Sequence, residues 1–345
     1  MKSMDAGVSS TVGRRGGRRL LAVVAAASAL AVAGCAGGRS NQDQPASPAG
    51  DDQLAPLAGD PERQDRPTPL AGDREPSVPT FRDCPQYPEM VMIPAGSFLI
   101  GSPESEVGRG ADEGPQRGIT VAKPFAMGIY EVTFEEWDAC VDDGGCDGYR
   151  PEDHGWGRGR RPVTEVSWQD ARAYVEWLTE ETGRAYGLPS EARWEYAARA
   201  GTRAARYWGE SAEEQCRYAN AFDRTLARTN DKGLAMFEEY GMTYPSCSDG
   251  QGDGTAPVGS YEPNAFGLYD MIGNLTEWTD DCWNPDHSGR PDHAGTRFSG
   301  DCSRRMLRGG TWAYPSEFLR SAYRFQFELD HRDNGLGFRV VRFDR

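Results

Sequence analysis

Histidine and cysteine are the residues of this 345-residue chain best suited to metal binding, redox chemistry or nucleophilic attack. The sequence contains four histidines, which are His154, His287, His293 and His331. His287 and His293 lie six positions apart in a loop rich in Gly, Pro and Asp, a spacing that matches no metal-site signature. We therefore predict that these are solvated loop histidines and not metal ligands.

Eight cysteines indicate an oxidising compartment, in which structural disulfides form. Apart from Cys35, near the N-terminus, all of them lie in the 84–302 region. We predict three disulfides, which are Cys140–Cys146, Cys216–Cys247 and Cys282–Cys302. Cys84 is left over, and we expect its thiol to be free or to pair between chains. No histidine or second cysteine follows it closely enough to indicate a zinc site or a nucleophile.

The N-terminus has the pattern of an export signal. Four arginines in the 14–19 segment precede an apolar run over 20–33, which is shorter than the roughly 20 residues of a membrane span. The run ends in Val32-Ala33-Gly34-Cys35, which resembles a bacterial lipobox. We predict a signal peptide over 1–34 and a lipid on Cys35, which would anchor the protein in the cell envelope. In a Gram-negative cell the outer membrane is favoured, because no acidic residue follows the cysteine directly. An ordinary signal peptide is the alternative.

Composition divides the rest of the chain into a tether and one folded domain. The 35–80 segment has eight prolines and no aromatic residue, so it cannot form a core and is predicted to be a disordered tether. No second segment of this kind interrupts 81–345, which we interpret as one globular domain. The formal net charge of −15 argues against nucleic acid as a partner.

The remaining pattern predicts the elements that position any site. Two strands are predicted over 90–94 and 97–100, and a closing strand over 337–341. Three helices are predicted: one from the capping box at Thr133, one from Ser167 to Gly183, and one from Ser190 to Gly201. Long loops rich in Gly and Trp separate these elements, so we expect an irregular α+β domain.

A series of short motifs covers nearly all of the domain. They are Ile93-Pro94-Ala95-Gly96-Ser97-Phe98, Gly128-Ile129-Tyr130-Glu131-Val132-Thr133, Leu188-Pro189-Ser190-Glu191-Ala192, Trp194-Glu195-Tyr196-Ala197-Ala198-Arg199, Asn264-Ala265-Phe266-Gly267-Leu268-Tyr269-Asp270-Met271, Gly273-Asn274, Glu277-Trp278, Leu307-Arg308-Gly309-Gly310-Thr311-Trp312 and Gly337-Phe338-Arg339. In this order they resemble the formylglycine-generating enzyme (sulfatase-modifying factor) family. The resemblance implies a variant of the C-type-lectin-like fold with little regular secondary structure.

The resemblance also indicates what this chain lacks. Formylglycine-generating oxidases carry a pair of cysteines after the Arg-Gly-Gly motif, and soft thiolates of this kind select Cu(I). The corresponding positions here are Tyr314 and Leu319, and 303–345 contains no cysteine. The sequence therefore argues against copper and against oxidation of a substrate cysteine by this route.

The groove that holds a cysteine peptide in those oxidases maps onto an aromatic and arginine-rich segment. Its predicted lining is Tyr314, Phe318, Arg320, Tyr323, Arg324 and Arg332. Such side chains are enriched at binding hot spots and could hold a peptide, a protein or an acidic glycan. A structural role, in which the arginines pair with carboxylates, is the equal alternative.

Structural calcium is the cofactor that the resemblance implies. One site would use the side chains of Asn274 and Glu277 with the carbonyl groups of Ile272, Gly273 and Leu275. The other would use Asn220, the Ala221 carbonyl, Asp249 and the Gln251 carbonyl, although the loop that holds the last two is one residue longer than usual. These hard oxygen donors suit Ca²⁺. The alternative is a set of Asp, Asn and Gly turns that hold no ion.

Three classes of function remain open at this point. The first, which we favour, is a lipid-anchored member of the family that serves in recognition or scaffolding. The second is an enzyme of changed chemistry, such as a non-haem iron enzyme. The third is a formylglycine-generating oxidase with displaced cysteines, for which Cys282 and Cys302 are the only candidates.

Overall fold

A computed structural model describes residues 78–343, with the side chains of residues 236 and 238 excepted. The predicted signal peptide, Cys35 and nearly all of the tether lie outside these residues. No helix in the described part is long and apolar enough to cross a membrane.

The described chain is a mixture of short strands and helices, as the α+β prediction requires. The strands are β1 (Thr80–Phe81), β2 (Met90–Ile93), β3 (Gly96–Ile100), β4 (Arg117–Val121), β5 (Phe125–Gly128), β6 (Ala185–Gly187), β7 (Thr276–Trp283), β8 (Asp301–Arg308), β9 (Arg324–Glu328), β10 (Leu336–Gly337) and β11 (Val341–Phe343). The helices are α1 (Phe134–Asp142), α2 (Trp168–Thr182), α3 (Glu191–Arg199), α4 (Gln215–Tyr218), α5 (Arg224–Thr229) and α6 (Asp231–Tyr240).

Three sheets organise the strands of the described residues. Five strands pair in the order β1-β2-β5-β11-β6, four pair in the order β10-β7-β8-β9, and β3 and β4 form a separate hairpin. The main core is aromatic: the Trp137 and Tyr174 rings stack with centroids 5.8 Å apart, and Phe338 meets both rings edge-on. Large rings bury much apolar surface per residue, so they stabilise a domain with so little regular structure.

The three predicted helices are confirmed, and their caps explain where they begin. Thr133 and Glu136 form a reciprocal capping box at α1, and the Ser167 hydroxyl caps α2, which ends at a left-handed Gly183. The hydroxyl of Ser190 caps α3, which ends one residue before Ala200 and not at Gly201.

The strand predictions are confirmed in part. β2 and β3 lie where the sequence predicts them. The closing strand predicted over 337–341 is wrong as one element, because β10 ends at Gly337 and β11 begins only at Val341. Between them the carbonyl groups of Phe338 and Val340, outside the named strands, accept single hydrogen bonds from Val132 and Gly128, and the buried Arg339 guanidinium binds Glu277.

Candidate functional site

The segment between β8 and β9 forms the region where the family resemblance places a ligand groove. Its second residue is Gly310, which has a φ of 77°. A Cβ atom there would lie 2.9 Å from a Leu319 methyl group and 3.6 Å from the Tyr314 ring. Glycine is therefore required for both conformation and space, and the turn brings Tyr314 and Leu319 together.

Three aromatic side chains of this segment lie side by side. The Tyr314 ring centroid is 5.7 Å from that of Phe318 and 6.4 Å from that of Tyr323, and the Phe318 and Tyr323 rings stack at 5.1 Å. All three side chains are half-buried. We call Tyr314, Phe318 and Tyr323 the aromatic surface. The structure thus brings together the aromatic half of the predicted groove.

The two positions that correspond to the copper cysteines lie in apolar surroundings. Leu319 is fully buried and packs with Ala221 and Ile272, and the half-buried Tyr314 packs against this cluster. Burial raises the pKa of the Tyr314 hydroxyl, and the charge of Asp333 raises it further. A neutral phenol beside a leucine offers no soft ligand for Cu(I).

The arginine half of the predicted groove is placed differently. Arg320 is buried and binds Glu113 at 2.5 Å and Glu106 at 2.7 Å. Arg324 is buried as well, with its Nε 2.6 Å from Glu191. Groups of the protein itself bind these two guanidinium groups. The alternative in which the arginines pair with carboxylates therefore describes them better than ligand binding does.

Arg332 differs from both because it is exposed. Its guanidinium donates to both Asp170 carboxylate oxygens, at 2.7 and 2.8 Å, and lies over the Tyr149 ring at 4.2 Å. Arg332 therefore stabilises the first turn of α2, which contains Asp170.

Arg320 and Arg324 belong to two buried sets of ion pairs that the sequence did not predict. In the first set Arg320 pairs with Glu106 and Glu113. The second set joins Glu191, Glu195, Asp281, Arg199, Arg290, Arg308 and Arg324. We call the two sets together the buried ion network. Although burial opposes ionisation, Arg324 and then Arg290 hold the pKa of the Glu191 carboxyl well below its usual range. Several of these residues belong to the quoted family motifs, but spacing alone gave no sign of their pairing.

One histidine prediction is wrong. His287 is fully buried beside this network, and neither ring nitrogen has a hydrogen-bond partner among the described residues. Burial lowers the pKa of its imidazole to about 3, and the positive charges of Arg324 and Arg290 add to the effect. A loop rich in Gly, Pro and Asp looked solvated in the sequence, but its backbone folds over the network. His293, by contrast, is exposed as predicted.

At the calcium site predicted around Asn274 and Glu277, the side chains contact other partners. Both oxygens of Glu277 accept hydrogen bonds from Arg339, and Oε2 also accepts from the Trp194 indole. The Asn274 amide oxygen accepts from the backbone N–H of Ala256, and its Nδ2 donates to the buried Glu131. The donor set does not fit calcium as predicted, because the Arg339 guanidinium already neutralises the Glu277 carboxylate.

At the other predicted site the structure adds a carboxylate. Asp249 accepts from the Tyr261 hydroxyl at 2.8 Å, and its backbone N–H donates to the buried Asp223 at 2.7 Å. Burial and the charge of Asp223 raise the pKa of Asp249 to about 6. The amide of Asn220 donates to the Gly254 carbonyl. The two carboxylates adjoin, but each of their four oxygens accepts a hydrogen bond from the protein, so a cation would have to replace some of these contacts. The described residues contain no group of three His, Cys, Asp or Glu arranged to hold a metal.

The three predicted disulfides are confirmed. The structure contains Cys140–Cys146, Cys216–Cys247 and Cys282–Cys302. Cys84 is also disulfide-bonded, so the expectation of a free thiol is wrong. The described part of the chain therefore presents no thiol for nucleophilic or redox chemistry.

Comparison with known proteins defines the class to which this fold and site belong. Residues 76–343 match the family described as sulfatase-modifying factor enzyme 1-like domain, and the chain belongs to this family. The C-type-lectin-like α+β architecture predicted from the motifs is that of the family.

Three relatives show how this chain is situated within the family. The formylglycine-generating enzyme of Mus musculus is 27% identical over 309 residues, covering 73% of this chain and 74% of that protein. The inactive C-alpha-formylglycine-generating enzyme 2 of Mus musculus is 31% identical over 306 residues, covering 74% and 86%. The structure of PvdO from Pseudomonas aeruginosa is 33% identical with a TM-score of 0.64, covering 78% of this chain and 99% of that one.

Proposed function

We propose that this protein is a non-oxidase member of the sulfatase-modifying factor family that binds a peptide, protein or glycan at the aromatic surface. The observation that carries the proposal is the apolar cluster of Tyr314 and Leu319 at the positions where oxidases of the family hold copper. A relative whose name marks it as inactive covers most of this chain, which supports a member without that oxidase activity. Half-buried aromatic rings at a surface are suited to binding, because they bury much surface at low entropic cost.

The test of this function pairs a binding screen with an activity assay on the mature chain. Peptide and glycan arrays are probed with the wild type, with Phe318→Ala and with Phe298→Ala, which removes an exposed ring elsewhere. We expect ligands that bind the wild type and Phe298→Ala but not Phe318→Ala. In parallel, cysteine peptides are incubated with Cu(I) and oxygen, and mass spectrometry follows loss of the thiol. Oxidation of the cysteine would overturn the proposal and restore the alternative of a family enzyme.

We also propose that the protein is exported and anchored by a lipid on Cys35. The support is the lipobox-like sequence after a short apolar run. Mass spectrometry of a digest of the membrane fraction tests this proposal: an N-terminal peptide that begins at Cys35 and carries a lipid supports the anchor, and a Cys35 peptide without lipid refutes it.

Calcium is proposed at the Asp249 site, with Asp223 as an additional carboxylate. Burial first and the charge of Asp223 second raise the pKa of Asp249, and a bound cation would oppose both effects. Saturating calcium at about 100 times its Kd would stabilise the fold by roughly 2.7 kcal/mol. We expect the melting temperature to rise with calcium relative to EGTA for the wild type and for Asp253→Asn, a change at an exposed residue of the same loop. Asp249→Asn should respond much less, and an equal response would contradict the assignment.

A further inference from the structure

A cleft of about 680 Å³ lies on a different part of the domain from the aromatic surface. Its walls are the β3–β4 hairpin and the residues that follow α3, and none of its lining residues belongs to the aromatic surface. This volume is in the range of about 300–1,000 Å³ that small-molecule sites occupy. The function proposed above does not use this cleft.

One wall of the cleft is apolar. The half-buried Phe98 ring lies 5.4 Å from the Tyr196 ring, and Ile119 of β4 is beside them. This wall leaves apolar surface in contact with solvent that a ligand could cover.

Arg199, at the end of the cleft near α3, is held by the protein itself. It is 3% exposed, its Nε donates to Glu195 at 2.9 Å, and its other two nitrogens donate to the carbonyl groups of Ala204 and Gly101. Its guanidinium is therefore not free to bind a ligand.

One cation at this end is open to a ligand. Arg203 lines the cleft and is exposed, and across residues 78–343 it forms no hydrogen bond or ion pair. The carboxylate of Asp292 lines the cleft from another segment of the chain and would repel an anion. A ligand anion should therefore bind at Arg203.

We propose that this cleft binds a small amphipathic carboxylate, with its apolar body on Phe98 and Tyr196 and its anionic group at Arg203. Arginine suits this role because its planar fork of N–H donors matches a carboxylate. The site is independent of the aromatic surface, so either proposal can fail without the other.

The test uses 4-phenylbutyrate as the probe on the full mature chain, with ligand-observed NMR and calorimetry. The uncharged 4-phenylbutanol and the phosphate ester phenyl phosphate are the comparison compounds. We expect the carboxylate to bind with a Kd of about 1 mM or tighter and the alcohol to bind about tenfold more weakly. Equal binding of acid and alcohol, or binding of the phosphate alone, would overturn the carboxylate assignment.

Variants then locate the binding. Arg203→Gln should weaken 4-phenylbutyrate about tenfold, and Asp292→Asn should strengthen it a few-fold. Arg184→Gln, at an exposed arginine after α2, should change nothing. Phe98→Ala should weaken binding about tenfold, because it removes the ring that forms the apolar wall beside Tyr196. An unchanged melting temperature would confirm that this variant folds, and retained binding in it would refute the site.

Discussion

The aromatic surface and the buried ion network share one short segment but differ in burial and in the partners that they contact. Phe318 and Tyr323 are half-buried and meet mainly each other, whereas Arg320 and Arg324 are buried and bound to carboxylates from distant parts of the chain. When a buried charge loses its partner, water cannot reach the site to take the partner's place, so the network resists change. A half-buried ring can be exchanged at low cost. The comparison indicates that this fold keeps its buried charges fixed and leaves the neighbouring aromatic surface free to change its chemistry.

The largest effect should follow from breaking the network at Arg324. Arg324→Met leaves Glu191 buried with one guanidinium fewer, and removal of one partner of a buried ion pair costs roughly 3–5 kcal/mol. For a domain of this size that corresponds to a fall in melting temperature of about 10 °C. Thermal and urea unfolding of the mature chain measure the change.

The matched control is Arg332→Met, because Arg332 also pairs with a carboxylate but is exposed. Exposed pairs contribute about 0–1 kcal/mol, so its melting temperature should fall by no more than a few degrees. Similar losses in the two variants would contradict the distinction between buried and exposed arginines.

A smaller effect should appear in acid through His287. The pKa of the His287 imidazole is about 3 in the folded state and about 6.5 in the unfolded chain. The unfolded state therefore binds more protons between these values, and the free energy of unfolding falls as the pH falls. From pH 6.5 to 4.5 the loss is at most about 2.7 kcal/mol. His287→Leu should remove this dependence, since neither ring nitrogen has a partner to lose.

The quantity to measure is the difference between the free energies of unfolding of the wild type and His287→Leu at each pH. The difference is needed because another group changes the free energy in the opposite direction. Burial raises the pKa of Asp281 to about 6, so protonation of that carboxyl favours the folded state over part of the same range. Subtracting the His287→Leu profile from the wild-type profile cancels this contribution. His293→Leu, at an exposed histidine, should leave the profile unchanged. A flat difference curve would show that His287 titrates normally.

Local signals predicted the local structure well. The capping boxes at Thr133 and Ser167 predicted two helices, and the motifs predicted the fold through the family. β7, β8 and β9 were missed because their arginines and carboxylates look like surface residues. In β8, Arg308 is fully buried, contrary to what its charge suggests. Strand patterns assume that polar side chains face water, and a buried ion network breaks that rule.

The candidate site was predictable only where contacts are close in sequence. Tyr314, Phe318 and Tyr323 come from one segment, so their proximity could be expected. Arg320 instead binds Glu113, which is 207 positions away, and no spacing rule connects them. The same limit explains why Asp223 was not foreseen beside Asp249.

The smallest effect on stability, and the sharpest test of the comparison, is expected at Phe318. Phe318→Ala removes one ring of a stacked pair, a contact worth about 0.5–1.5 kcal/mol beyond the area that it buries. Because the ring is half-buried, the total loss should stay well below that of Arg324→Met. Tyr323→Phe is the matched control: it keeps the stacked ring and removes only the hydroxyl, so it should preserve both stability and ligand binding. If Phe318→Ala unfolds the domain as Arg324→Met does, the aromatic surface is part of the core. If it costs little and abolishes binding of the array ligands, the two regions divide stability and recognition between them.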